Sequence, residues 1–188
     1  MRGKFAAIML SAAAITLLPS GCIGSTTVTG DEPSSELLAR RQIPLTQLKT
    51  DNIQVQKAAD DDADSPTTLP AHPFRVWLAL DSSQQAEGLM FVPTTEIADD
   101  QGMLFVFDDE SVRGFWMRNT VAPLDIAFAR RNGKIVAIHT MPPLTLRSFS
   151  SFEPAMFALE VKAGTFERLG IVEGDTLVIP DSVFKATP

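Results

Sequence analysis

The chain has 188 residues, 45% of them apolar and 12 of them Phe, with a formal charge of −7; this suffices for one compact core without disulfide or metal staples. Without Arg2 and Lys4, which belong to a leader described below, 14 basic side chains face 23 acidic ones, a net −9. Such a balance argues against sequence-independent nucleic-acid binding, which draws on a surplus of Lys and Arg.

The first 21 residues, MRGKFAAIMLSAAAITLLPSG, start basic, run apolar from Phe5 to Leu18 and end on small residues before Cys22. A run this short predicts a cleaved export signal and not a membrane span. Cys22 is the only cysteine, so no intrachain disulfide can form, and its position resembles the lipobox of bacterial lipoproteins, with Pro19 in the slot usually held by Leu. The expectation is an acylated Cys22 as first mature residue and a membrane partner through that lipid. Because Ile23 and not Asp follows, the expected location is the outer membrane, facing the periplasm; a secreted or soluble periplasmic protein is the alternative.

Residues 22–70 are rich in Ser, Thr, Asp and Pro and contain the acidic run ADDDADSPTTLP at 59–70. They read as a flexible tether that buries too little apolar surface to offset its ordering entropy, although QIPLTQLKTDNIQVQ at 42–56 has the aliphatics for a strand or a short amphipathic piece. The domain is expected over 71–188. FRVWLAL at 74–80 alternates, with Phe74, Val76, Leu78 and Leu80 on one face and Arg75, Trp77 and Ala79 on the other. Asp81 then stands as N-cap of a short helix, with Gln84 completing a capping box. MLFVF at 103–107 predicts a strand buried on both faces; DDES is expected to turn the chain, and VRGFWM to return antiparallel.

In LDIAFARRNGKIVAIHTM, Asn132-Gly133 between two apolar runs predicts a two-residue hairpin loop. Closing it with Arg131 opposite Lys134 sets Ile126 against His139, Ala127 against Ile138 and Asp125 against Thr140. Asp125 then shares a face with Ala127, Ala129, Ile138 and Val136, while His139 lies on the other face with Leu124, Ile126 and Phe128. FALEVKAG at 157–164 predicts a strand with Phe157, Leu159 and Val161 inward. TFERLG follows as one helical turn between a Thr cap and Gly170, and GDTLVIP as a last strand. The fold class is mainly β (α+β), a compact barrel-like domain with one or two short helices.

The segments GLM (88–90), GMLFVF (102–107), FWMRNTVAPLDIAF (115–128), NGKIVAI (132–138), LEVKAG (159–164) and GIVEGD (170–175) resemble, in order, domain-of-unknown-function family 192, also called uncharacterised protein family 0127. The resemblance covers about 110 residues, from near Phe74 to Ile179. It implies a small β-rich domain, often behind a signal peptide or lipoprotein anchor, and no agreed activity.

Trp116, Asn119, Thr120 and Asp125 combine an aromatic platform with hydrogen-bonding groups, the make-up of a site for a polar ligand. The rival reading is structural, with Asn119 and Thr120 satisfying backbone at a strand exit and Asp125 capping a turn or bonding Thr140. Met90, Met103, Met117, Met141 and Met156 show no clustered spacing, and two histidines with one cysteine make a metal site improbable; no metal and no cofactor is expected. Serines 148, 150 and 151 lack a GxSxG context, and a lone His139 on an apolar face suits a core residue. Two functions compete. One is an envelope-tethered binding or accessory module taking a small polar ligand or an envelope protein; the other is a hydrolase with Asp125 as acid or base, paired with Glu160 or Asp175. The lack of a second well-placed catalytic group favours the first, and a non-enzyme.

Overall fold

The computed structural model describes residues 32–58 and 71–186; the leader, Cys22 and the acidic run 59–70 lie outside the described residues. Seven strands, β1 (Thr50–Gln56), β2 (Ala71–Ala79), β3 (Gln101–Phe115), β4 (Leu124–Ala129), β5 (Ile135–Met141), β6 (Phe149–Lys162) and β7 (Thr176–Val178), form one sheet in the order β5-β4-β6-β3-β2-β1-β7. Of the pairs, β2–β3 is parallel and the rest are antiparallel. Helices α1 (Ser34–Ala39), α2 (Ser82–Glu87), α3 (Thr165–Leu169) and α4 (Asp181–Ala186) each span five or six residues. The β-rich, barrel-like class is thus the observed one, with four short helices in place of one or two.

The sheet curls into a half-barrel. Its two edge strands meet at one end, where Lys134 bridges Thr176, Leu177 N–H donates to Gly133 O at 2.8 Å and Ile135 N–H donates to Asp175 O at 2.8 Å. Gly133 is needed there twice over: its φ is +83°, and a Cβ would lie 2.1 Å from Leu177 O. Alternate side chains of all seven strands, among them Phe74, Val76, Leu78, Phe157, Leu159 and Val161, converge in the inner core. A second core on the outer face, with Trp77, Met103, Phe105, Ile126 and Phe128, is covered by Leu48, Leu89, Val92, Ile97 and Met117 from segments outside the sheet. Both faces are therefore dry, which is why every residue of β4 is buried.

Residues 34–56 do not belong to a tether. β1 is an interior strand between β2 and β7, and its Ile53 and Val55 enter the inner core while Asn52, Gln54 and Gln56 face water. Its low apolar content reflects a strand wetted on its outer side, where only every second residue must be apolar.

Around the Asn132-Gly133 loop the register is the expected one, with Asp125 opposite Thr140, Ile126 opposite His139 and Ala127 opposite Ile138. It slips after Phe128: Ala129 pairs with Ile135, so Val136 is bulged and packs against the outer core. The cause is a three-residue loop, closed by Arg130 N–H to Lys134 O at 3.0 Å with Gly133 left-handed, in place of the two-residue one. DDES is likewise a bulge and not a hairpin turn. β3 runs through it, pairing with the long β6 on both sides, Val106 opposite Phe157 and Ser111 opposite Ala155.

Candidate functional site

Asp125 is 1% exposed, and both of its oxygens are engaged, Oδ1 accepting from Thr140 Oγ1 at 2.7 Å and Oδ2 from Phe166 N–H at 3.1 Å. It caps α3 from across the sheet, the task expected of Thr165, which instead is the first helical residue behind a left-handed Gly164. Pairing decides its relation to Glu160: Asp125 lies opposite Val161, an inner-core residue, whereas Glu160 lies opposite Ile126, an outer-core residue. The two carboxyls point to opposite faces of the sheet and cannot act as a pair. Asp175 is also occupied, accepting from Lys57 Nζ, Ala58 N–H and Val172 N–H, each at 2.9 Å. Burial pushes its carboxyl up, but those three donors together hold it below the usual range.

Trp116, Asn119 and Thr120 lie on the segment joining β3 to β4. Buried Met117 anchors that segment, its N–H donating to Thr145 O at 2.8 Å. Asn119 adopts φ 56°, a left-handed conformation that Asn tolerates, and its carbonyl accepts Phe91 N–H at 2.8 Å; Thr120 O accepts Leu144 N–H at 3.0 Å. Asn119 and Thr120 thus act here through their main-chain carbonyls, and the Thr120 hydroxyl also donates to Arg118 O at 3.3 Å. Trp116 is different: the residue is 49% exposed, with Arg118 5.6 Å over its ring.

Glu160, unlike Asp125, is a buried acid that borders a cavity. Near the C-terminal end of β6, it is 4% exposed and sits opposite Met103 on one side and Ile126 on the other. With Trp116, Thr120, Phe105, Phe115 and the stretch from Gln85 to Met90, it lines a cavity of about 30 Å³. No described residue hydrogen-bonds or ion-pairs with it. Because no fully buried side-chain polar atom among the described residues lacks a partner, its carboxyl reaches the space of that cavity. Burial alone pushes it up to about 8, so at neutral pH it is mostly protonated. A cleft of about 530 Å³ adjoins the cavity between α2 and the second half of β3, sharing Gln85, Ala86, Phe115 and Trp116. Asn119 faces a third hollow, with Arg40, Met90 and Phe91. Of the four residues singled out in the sequence, then, Trp116 and Thr120 border the Glu160 cavity, Asn119 adjoins it and Asp125 faces away.

The wall formed by α2 is itself held in place. Asp81 caps the helix, accepting from Ser83 and Gln84 N–H at 2.9 Å, while Gln84 Oε1 accepts Leu80 N–H at 2.8 Å. Arg41, with its side chain 1% exposed, donates to Ile43 O at 3.1 Å, Gly88 O at 3.0 Å and Met90 O at 2.6 Å and stands 3.6 Å from Glu87. Burial lowers the guanidinium below its ordinary value, with Glu87 opposing. In turn Glu87 accepts Gln42 and Ile43 N–H at 2.7 and 2.9 Å, so residues 41–43 clamp the GLM stretch. His139 is half-buried and not a core residue: it bonds Ser150 O at 2.7 Å and touches the rings of Phe128, Phe149 and the exposed Phe152.

The sequence profile of family DUF192, described as uncharacterized ACR, matches residues 65–179, more than half of the chain. The chain belongs to this family. Among solved structures similar to this DUF192 chain is a candidate transcription regulator from Sinorhizobium meliloti 1021, 34% identical, with a TM-score of 0.62 over 69% of this chain and 93% of that one. Another is a protein of unknown function from Novosphingobium aromaticivorans DSM 12444, 33% identical, with a TM-score of 0.63 over 73% and 90%. No curated protein matches the chain. β1 and the Arg41 clamp lie ahead of the stretch matched by the DUF192 profile.

Proposed function

We propose that this DUF192 chain is a binding or accessory module of the cell envelope, and that its ligand site is the Glu160 cavity with its Trp116 mouth. The observation that carries the reading is Glu160 itself: a buried carboxyl without a described protein partner, reaching an open cavity beside a half-exposed indole. Burying such a group unpaired is destabilising, and a protein retains it most readily where a ligand completes it. The alternative, a hydrolase with Asp125 as acid or base, finds no support in surroundings that engage both Asp125 oxygens.

Location rests on residues 1–22, which have the make-up of a lipoprotein leader. With 32–58 in the domain, only residues 23–31 separate Cys22 from it, a leash of at most about 30 Å. The domain would thus work close to the membrane and not at the end of a long arm.

Tryptophan emission tests the site, since Trp77 is buried and Trp116 faces the cavity mouth. A ligand drawn from a screen of small polar metabolites and envelope fragments should shift the emission of the parent and of Asp125→Asn, and not of Glu160→Ala. Binding indifferent to both Glu160 and Trp116 would place the site elsewhere.

A further inference from the structure

We propose that the Glu160 cavity takes a primary alkylammonium group, with Glu160 as its counter-ion and the adjoining Trp116 cleft holding the carbon chain. This deepens, and rests on, the reading of the cavity as a ligand site.

Charge complementarity comes first. Around Glu160, α2 offers Glu87, already committed to Arg41 and two backbone N–H groups. The segment after β3 offers Arg118, placed over Trp116. Within β6, Lys162 pairs with Asp99 at 2.9 Å, and from β5 His139 bonds Ser150 O. Across the strands, β3 and β4 present the uncharged Met103 and Ile126. Farther along β3, Arg113 lines the adjoining cleft, paired with Asp109. None of these cations pairs with Glu160, so an entering ammonium would be the first counter-ion it meets.

Size narrows the class. About 30 Å³ is room for a group the size of one or two water molecules, which an –NH₃⁺ fits. Behind the head group, the cleft of about 530 Å³ offers Val112 and Phe115 for methylenes beside Arg113, which lies over Phe107, and the half-exposed Trp116 stands where the two spaces join. Two sources share this chemistry, a free diamine and the lysine side chain of a partner protein.

Binding then carries a pH signature. An alkylammonium stays charged to about pH 10, while Glu160 must ionise to pair with it. Below about pH 8 each binding event releases a proton, and affinity rises about tenfold per pH unit between 6 and 8, then flattens.

Calorimetric titration of the full chain at pH 6, 7, 8 and 9, in two buffers of different ionisation heat, tests this with n-butylamine, 1,4-diaminobutane and Nα-acetyl-lysine methylamide against 1-butanol and butyrate. The expected result is binding of the amines alone, one proton released at pH 6 to 7, and at least a hundredfold loss in Glu160→Gln, whose fold a melt will verify. Tighter binding of the lysine derivative supports a protein partner, tighter binding of the diamine a small molecule. Amine binding without pH dependence, or equalled by butanol, overturns the proposal. Failure of every amine while another polar ligand shifts Trp116 emission overturns the ammonium class and leaves the site standing; silence of Trp116 to all ligands removes both.

Discussion

Glu160 and Asp125 show how little a residue's type says until its face is known. Both are single acids in apolar strands, and the hairpin register placed Asp125 correctly opposite Thr140. What the sequence left open was which face stayed accessible: Asp125 faces the sealed inner core and is satisfied there, while Glu160 faces the outer core, where the cover leaves a gap. The alternation of Phe157, Leu159 and Val161 did turn Glu160 outward, but that face reads as solvent unless β6 is known to be central and covered on both sides. Two predictions follow from this difference. Glu160 has a raised folded-state value of about 8, so the stability it permits is complete below about pH 4.5 and is lost as pH climbs to about 8. Thermal melts should accordingly show Glu160→Gln neutral near pH 4 and stabilising above pH 8, by an amount on the order of a few kcal/mol. Asp125→Asn, in contrast, leaves one of two acceptor sites filled by an amide donor and should destabilise by about 1–3 kcal/mol at neutral pH, with ligand binding at Glu160 unchanged.

Among the elements, those with strong alternation or a specific turn pair were legible: β2 with its Phe74, Val76, Leu78 and Leu80 face, the Asp81 cap, and the β4–β5 hairpin. Elements completed by distant partners were not. β1 looks like linker because only Ile53 and Val55 need be apolar, and Arg41 looks like a surface charge because the carbonyls it binds, at Gly88 and Met90, lie some 47 and 49 residues away. Arg41→Met is expected to destabilise by about 3–5 kcal/mol in denaturant titrations, since it strands three carbonyls and the Glu87 carboxylate. Because Gly88 and Met90 line the cavity, the same variant should also weaken ligand binding; unchanged affinity would show that the clamp does not shape the site.

Seen whole, the described residues form one curled sheet whose first and last strands lie side by side, β1 pairing β7. A fragment beginning at residue 71 removes the interior strand and its Ile53 and Val55, and it is expected to aggregate or melt without cooperativity, while a fragment from residue 32 melts as one unit. Circular dichroism of the two fragments decides this. The composition foretold a single β-rich core; it did not foretell that the apparent tether was part of it, because long-range pairing leaves only a weak trace in local composition. The most direct test of the account is a ¹³C NMR titration of the Glu160 carboxyl in the full chain, with Glu160→Gln to assign the signal. A midpoint near 8, displaced downward when a ligand cation is added, is the predicted result. A midpoint at the ordinary value near 4.5 would show a solvated surface acid and contradict the site at its centre.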